Sequence, residues 1–420
     1  MKRIVLMFLM FSNSLCAQEN VVRLQDCYEN MLATYPISQQ SDIYAKTNEL
    51  SMQNIKAGWL PNAELKAQAT YQSDVMSVSF PVMGNNLGFE GEKDQYKATI
   101  DINQLIYDWG RIKAAKEKEQ YSLKVNQQNV QVELNRMKEQ INQFYFAILL
   151  LNQNEEVLQT MLNDLEARER KVESAVKNGV LLSADLSAIK AEKIKVKQNI
   201  TEITNNRLAA IQILAEITGM EISSDSKFEI PDYEINTEEN ALRPEFVLFD
   251  YQSEQLDATA NLISKQNKPM FYSFAQLGYG KPGLNMTSDE FDSFYIVGVG
   301  LSWNFWDWKQ TKRKKEITLL NKSVVNSNKE TFDKQVNVAL DNVQANIASL
   351  QSAIIGDKEI IELREEVTES ARSKLDNGII TSSDYIKELS AETQAKLSFE
   401  THKIQLQQAK VNYLYMKGLL

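Results

Sequence analysis

Tyr107-Asp108-Trp109-Gly110-Arg111 in the first half of the chain returns as Trp306-Asp307-Trp308-Lys309-Gln310 in the second, and the shared Asp-Trp pair recurs at an offset of 199 (307 − 108). The same offset links Asn178-Gly179-Val180 with Asn377-Gly378-Ile379, Asp185 with Asp384, and Gly219 with Gly418. Upstream, Leu60-Pro61 is echoed by Lys268-Pro269 at a slightly larger offset, so the first half carries the longer segment between Pro61 and Trp109. A period near 200 is too long for a solenoid and reads as one domain duplicated with its order kept.

Each copy follows one plan of helix, strand, loop, strand, long helix, turn and helix. In the first copy the helix runs from Asp42 to Gly58 and Pro61 closes it. From Asn62 the chain alternates strictly: Ala63, Leu65, Ala67, Ala69 and Tyr71 fall on one face, Glu64, Lys66 and Gln68 on the other. Tyr96, Ala98, Ile100 and Ile102 likewise oppose Lys97, Thr99, Asp101 and Asn103. In the second copy Tyr295, Val297, Val299 and Leu301 oppose Gly298, Gly300 and Ser302, while the strand from Phe271 to Tyr279 is less regular. A period of two puts one face on apolar surroundings and the other on water. A soluble sheet with one wet face satisfies that pattern. So do strands of about 10 residues in a transmembrane barrel. All five Trp lie at strand–helix junctions, where Trp59, Tyr107, Trp109, Trp303, Trp306 and Trp308 would form an aromatic girdle at a membrane interface.

Arg111 to Lys177 holds no Pro and no Gly and reads as a helix of ~100 Å if continuous. Its apolar residues keep a 3-4 spacing through Leu134, Met137, Ile141, Phe144, Ile148, Leu151, Leu158, Leu162 and Leu165. Val336, Leu340, Val343, Ile347, Leu350 and Ile354 do so in the second copy. Returning helices start at Ser183 and Ser382, which read as N-caps, and continue to Gly219 and Gly418. Heptads over such a length mean antiparallel coiled-coil hairpins, with tips at Asn178–Ser183 and Asn377–Ser382. Gly179 and Gly378 read as left-handed C′ glycines.

Composition narrows the function. In 420 residues there are only 15 Gly and 7 Pro, a helix-rich signal, and the net charge of −10 speaks against a nucleic-acid partner. Two Cys exclude a disulfide framework and a Cys-based zinc site. A single His, His402, leaves no His-rich metal site; it sits among polar residues and is expected to be solvated. No nucleophile–base pair emerges, so neither an enzyme nor a cofactor is expected. At the N-terminus, Lys2 and Arg3 precede an apolar run from Ile4 to Phe11, and Ser14 and Cys16 supply the small residues of a cleavage site. Residues 1–17 read as a signal peptide, with lipidation of Cys16 the alternative. No later stretch approaches ~20 apolar residues, so any membrane span must be made of strands.

The Leu60-Pro61 strand start, the Tyr107-Asp108-Trp109-Gly110-Arg111 junction, the tips at Gly179 and Gly378, and Arg243-Pro244-Glu245-Phe246 at the start of the second copy together resemble the TolC-like outer membrane efflux proteins. The resemblance covers roughly residues 22 to 420. Each motif is weak alone; the ordered set, twice over, is specific. It implies a mainly α fold with a transmembrane β-barrel portion: a homotrimer whose long hairpins form an α-barrel joined to a shared twelve-stranded β-barrel. Independently, four strands cannot close a barrel, and a bilayer tolerates no free edge, so two or more chains are needed. The domains expected are 18–219 (first repeat), 220–242 (a surface linker, equatorial in the family) and 243–420 (second repeat).

The resemblance also assigns roles. The tips, with Val180, Leu181, Ile379 and Ile380 as exposed apolar contacts beside Gly179 and Gly378, would dock a periplasmic adaptor (membrane fusion protein) that leads to an inner-membrane transporter. Asp384 falls at an acidic ring that narrows the periplasmic mouth. Lys387 stands one turn on, where the family pattern can carry a second acid, so a mixed-charge gate is possible. Asp185 and Asp384 also suit plain helix-start chemistry, since an acid in the first turn complements the helix dipole. The function implied is an outer-membrane exit duct of a tripartite efflux or type I secretion system, embedded in outer-membrane lipid and of the kind that confers multidrug resistance. An exported coiled-coil rod or adhesin is the alternative.

Overall fold

The computed structural model describes residues 21–83, 85–235, 242–286 and 288–420; the expected signal peptide, residues 1–17 with Cys16, lies outside the described residues. The chain runs α1 (Leu24–Thr34), α2 (Gln40–Ala57), then the long helices α3 (Arg111–Lys177) and α4 (Ser183–Thr218), α5 (Pro244–Gln266), α6 (Gln310–Asp376) and α7 (Ser382–Lys417). Strands β1 (Val21–Val22), β2 (Asn62–Tyr71), β3 (Ser77–Val82), β4 (Asn85–Glu90), β5 (Asp94–Tyr107), β6 (Lys227–Phe228), β7 (Met270–Lys281) and β8 (Asp292–Ser302) complete it. The duplication is literal in the helices: α3 and α6 each have 67 residues, and α4 and α7 each have 36. Two compact units cut across the sequence repeats, because α3 and α6 each pass through both.

The unit formed by residues 40–130 and 245–332 contains the sheet. Its order is β2-β5-β7-β8, antiparallel throughout, and β2 and β8 each have one partner among the described residues. The register pairs Glu64 with Asp101 and Lys97 with Gly280, so the polar residues of neighbouring strands share one face. There Lys66 Nζ lies 3.1 Å from Glu64 and 3.0 Å from Asp101, and Gln276 donates to Asp101 at 2.6 Å. Aromatic rings also lie on this face: Phe294 covers Gly278 so closely that a Cβ there would stand 2.1 Å from the ring. The opposite face is apolar and bare, with Leu65, Tyr295, Val297 and Val299 all more than 70% exposed. The β3–β4 hairpin occupies the longer first-copy segment and was not foreseen from the alternation.

The other unit, whose described residues are 21–39, 131–235, 242–244 and 333–420, is mainly coiled coil. Leu158, Met161, Leu162, Leu165 and Val172 of α3 meet Ile189 and Val196 of α4, Ala371 and Leu375 of α6, and Tyr385 and Leu389 of α7. The heptads therefore join the two hairpins to each other as well as closing each one. Leu165 is fully buried, and trimming it to Ala would cost about 2–5 kcal/mol. The 220–242 segment is more than a surface linker: β6 pairs in parallel with β1, and the Tyr145 hydroxyl sits 2.9 Å from the Val22 carbonyl and 2.6 Å from that of Glu229. His402 is not merely solvated either, since its Nδ1 lies 2.6 Å from Asp357.

Candidate functional site

The strand-to-helix junctions are built by the Asp of each Asp-Trp pair. A helix leaves its first amides without partners. Asp108, itself buried, accepts from Gly110 N at 2.9 Å and Ile112 N at 2.6 Å; Asp307 accepts from Thr311 N at 2.8 Å. The chain turns there through left-handed residues, Trp109 (φ 55°) with Gly110 in one copy and Trp308 (φ 51°) with Lys309 (φ 65°) in the other. The turn throws the Trp side chains outward. Trp59, Tyr107, Trp109, Trp303, Trp306 and Trp308 are all exposed, and Tyr107–Trp109 and Trp306–Trp308 meet edge to face.

Both tips end in the same motif. Gly179 (φ 75°) donates to Val176 and Val180 to Ala175; Gly378 (φ 68°) donates to Leu375 and Ile379 to Lys374. This is the paired 5→2 and 6→1 closure that a left-handed C′ glycine permits. Val180 and Ile379 are exposed at 62% and 70%, and so is Leu182, which the sequence reading did not single out. Leu181 and Ile380 differ from expectation: they turn inward and pack against the coiled-coil core, because the closure reverses the chain after its first apolar residue.

The helix starts also depart from the expected pattern. The N-caps are Leu182 and Thr381, one residue before the serines, which puts both acids at N3. Leu182 has no side-chain acceptor, and Asp185 does different work from its counterpart. It is buried, taking Leu182 N at 3.2 Å through one oxygen and Ser382 N of the other hairpin at 2.8 Å through the second. Asp384 is exposed and closes a reciprocal capping box with Thr381. Hydrogen bonds from the Thr381 hydroxyl and amide hold its carboxyl below the usual carboxylate range, with Lys387 adding a smaller pull. Asp384 and Lys387 line an open groove of about 510 Å³ together with Glu366, Lys374 and Glu388.

Sequence reasoning missed a polar clasp between the hairpins. Asp164 of α3 receives Arg372 of α6 at 2.8 Å and the Tyr385 hydroxyl of α7. Arg168, 6% exposed, reaches Asp376 at 2.5 Å, and its guanidinium lies 5.5 Å from the Tyr385 ring centre. Burial and the Asp164 carboxylate push the Tyr385 phenol up to about 12. Burial alone would raise the Asp376 carboxyl, but the Arg168 hydrogen bond and charge win and hold it below its ordinary value. The signal was present: Asp164 and Arg168 flank Leu165 on the seam, where a heptad calls for apolar residues.

Residues 50–220 match the family model described as outer membrane efflux protein. Over that stretch, less than half of the chain, the protein is similar to the outer membrane efflux protein family. Its fold is the TolC-like one of solved outer membrane channels. No relative is found among curated protein sequences. Solved structures share the fold. The outer membrane protein VceC of Vibrio cholerae matches at TM-score 0.70 and 15% identity, over 94% of this chain and 96% of that one. The CmeC outer membrane channel of Campylobacter jejuni matches at TM-score 0.69 and 12% identity, over 94% and 85%. The open state of the Neisseria gonorrhoeae MtrE outer membrane channel matches at TM-score 0.67 and 13% identity, over 94% and 89%.

Proposed function

We propose that three copies of this chain close into one duct, twelve strands in the outer membrane and the hairpins in the periplasm, and that the duct is the passive exit of a tripartite efflux system. The observation that carries the reading is the four-stranded sheet, bare and apolar on one face and open at both β2 and β8. Hydrocarbon tolerates no unpaired strand edge, so each edge must find a neighbouring copy. Exposed apolar residues on α6, Ile317, Leu320 and Val324 and again Ile360, Leu363 and Val367, recur at helical spacing and suit cover by a second copy. An exported rod or adhesin has no use for such a sheet.

In this reading the aromatic residues at the junctions form the periplasmic girdle. The tip residues Gly179, Val180, Gly378 and Ile379, joined by Leu182, receive an adaptor that couples the duct to an energised inner-membrane transporter. Asp384 and Lys387 set the charge of the mouth. Asp185 is assigned to holding the hairpin starts together. The clasp of Asp164, Arg372 and Tyr385 must loosen wherever the hairpins separate. Efflux of small molecules, including multidrug efflux, is the proposed role rather than type I protein secretion, in keeping with a family model described as an efflux protein. Purified protein in planar bilayers should show stepwise conductance, and a deletion strain should accumulate dyes and become sensitive to bile salts. A protein that inserts but conducts nothing refutes the duct.

A further inference from the structure

The net charge of the chain is −10, yet cations crowd the places where strands become helices. Lys309, Lys312, Arg313, Lys314 and Lys315 fall at the start of α6 with no acid between them. Arg111, Lys113 and Lys116 stand at the start of α3, and Lys265 and Lys268 at the end of α5. Lys309 before α6 and the four cations on it are exposed, and none of the five forms an ion pair among the described residues. Lys113, Lys116 and Lys265 line one groove of about 610 Å³, shared with Glu117, which accepts from Asn261. The acids of the junctions, Asp108 and Asp307, are taken up by backbone amides.

This placement works against local stability, because the positive end of the helix dipole disfavours cations in the first turn. A compensating anion outside the chain accounts for it. The cations follow directly after Trp306 and Trp308 in one copy and Trp109 in the other, and these follow the bare apolar strand face of Val297 and Val299. Apolar face, aromatic residues and cations succeed one another as hydrocarbon, interface and headgroups do. From Gln310 to Lys315 the helix rises ~7.5 Å, comparable with a headgroup layer of roughly 5–8 Å per leaflet.

We propose that this basic band binds the headgroups of anionic phospholipids in the periplasmic leaflet of the outer membrane. The proposal rests on the reading that the four strands cross that membrane. Three copies would repeat the band around the duct and fix its depth in the bilayer.

The test uses the full protein reconstituted from equal parts phosphatidylethanolamine and phosphatidylglycerol, with retained lipid measured by mass spectrometry after detergent washing. The ratio of retained phosphatidylglycerol to retained phosphatidylethanolamine should exceed its bulk value severalfold, and less so at high salt. A combined Lys312→Gln, Arg313→Gln, Lys314→Gln and Lys315→Gln variant should bring that ratio back to near its bulk value. Lys322→Gln with Lys329→Gln, further along α6 and paired with Asp257 and Asp250, should leave it unchanged. Flotation with vesicles of phosphatidylethanolamine alone separates the two ideas. Protein that fails to float overturns the membrane-spanning reading and this proposal with it. Protein that floats but shows no enrichment, or enrichment untouched by the four substitutions, overturns the headgroup proposal alone.

Discussion

Asp185 and Asp384 occupy equivalent positions in the two repeats, and replacing each with Ala should separate their roles. Asp185→Ala removes the acceptor of the buried Ser382 amide at 2.8 Å and of the part-buried Leu182 amide at 3.2 Å. Ser382 is fully buried, so its amide cannot turn to water instead. A hydrogen bond to a charged acceptor contributes about 1.5–3 kcal/mol, and a stranded buried donor costs about 1–3 kcal/mol. Because these overlap, the local cost is about 2–4 kcal/mol. That raises the opening equilibrium at the tip roughly 30- to 700-fold. Amide hydrogen exchange reads it directly, as faster exchange over residues 379–386 with the sheet unaffected. Asp384→Ala removes an exposed cap and should accelerate exchange far less. Equal effects from the two variants would refute the assignment of Asp185 as the tie between hairpins.

Lys309 holds a left-handed backbone conformation that its first-copy counterpart gives to Gly110, so Lys309→Gly should raise the unfolding midpoint, by up to about 1 kcal/mol in stability. If three copies of Asp384 surround the mouth, Asp384→Ala should reduce cation selectivity in planar bilayers, whereas Lys387→Asp should increase it and add block by divalent cations; no change in either places the gate elsewhere. For pH, Asp376 and Asp384 titrate below the unfolded carboxylate, so their contribution is complete above pH ~4 and is lost as pH falls through their folded values. Tyr385 has the opposite profile: its phenol is raised to about 12, so the unfolded chain loses this proton first and stability declines as pH climbs from ~10 toward that value. Exchange rates at the tips followed from pH 3 to 11 would check both limbs.

Much of this fold was legible because two periods are written openly in the chain. Alternation from Asn62 and from Tyr96 gave strands whose faces agree with the register, and the 199 offset reproduced both long helices end for end. The Asp-Trp pair marked the junctions, though not the reason for it, which is that the carboxylate caps the following helix. What stayed hidden depends on contacts distant in sequence. Nothing near Asp185 foretells that its partner is the amide of Ser382, and the clasp joins residues of α3 to residues of α6 and α7. Leu181 and Ile380 look as exposed as their neighbours until the tip closure turns them onto the core. The β3–β4 hairpin escaped for a different reason, since Pro81 and the glycines of that segment read as loop residues.

Native mass measurement of the intact protein in mild detergent tests the central claim most directly. Two open sheet edges per chain predict a closed ring, and the proposed twelve-stranded duct makes it a ring of three chains, stable until heated. A protein that stays monomeric or dimeric under conditions that preserve its strands would contradict the shared barrel and, with it, the duct.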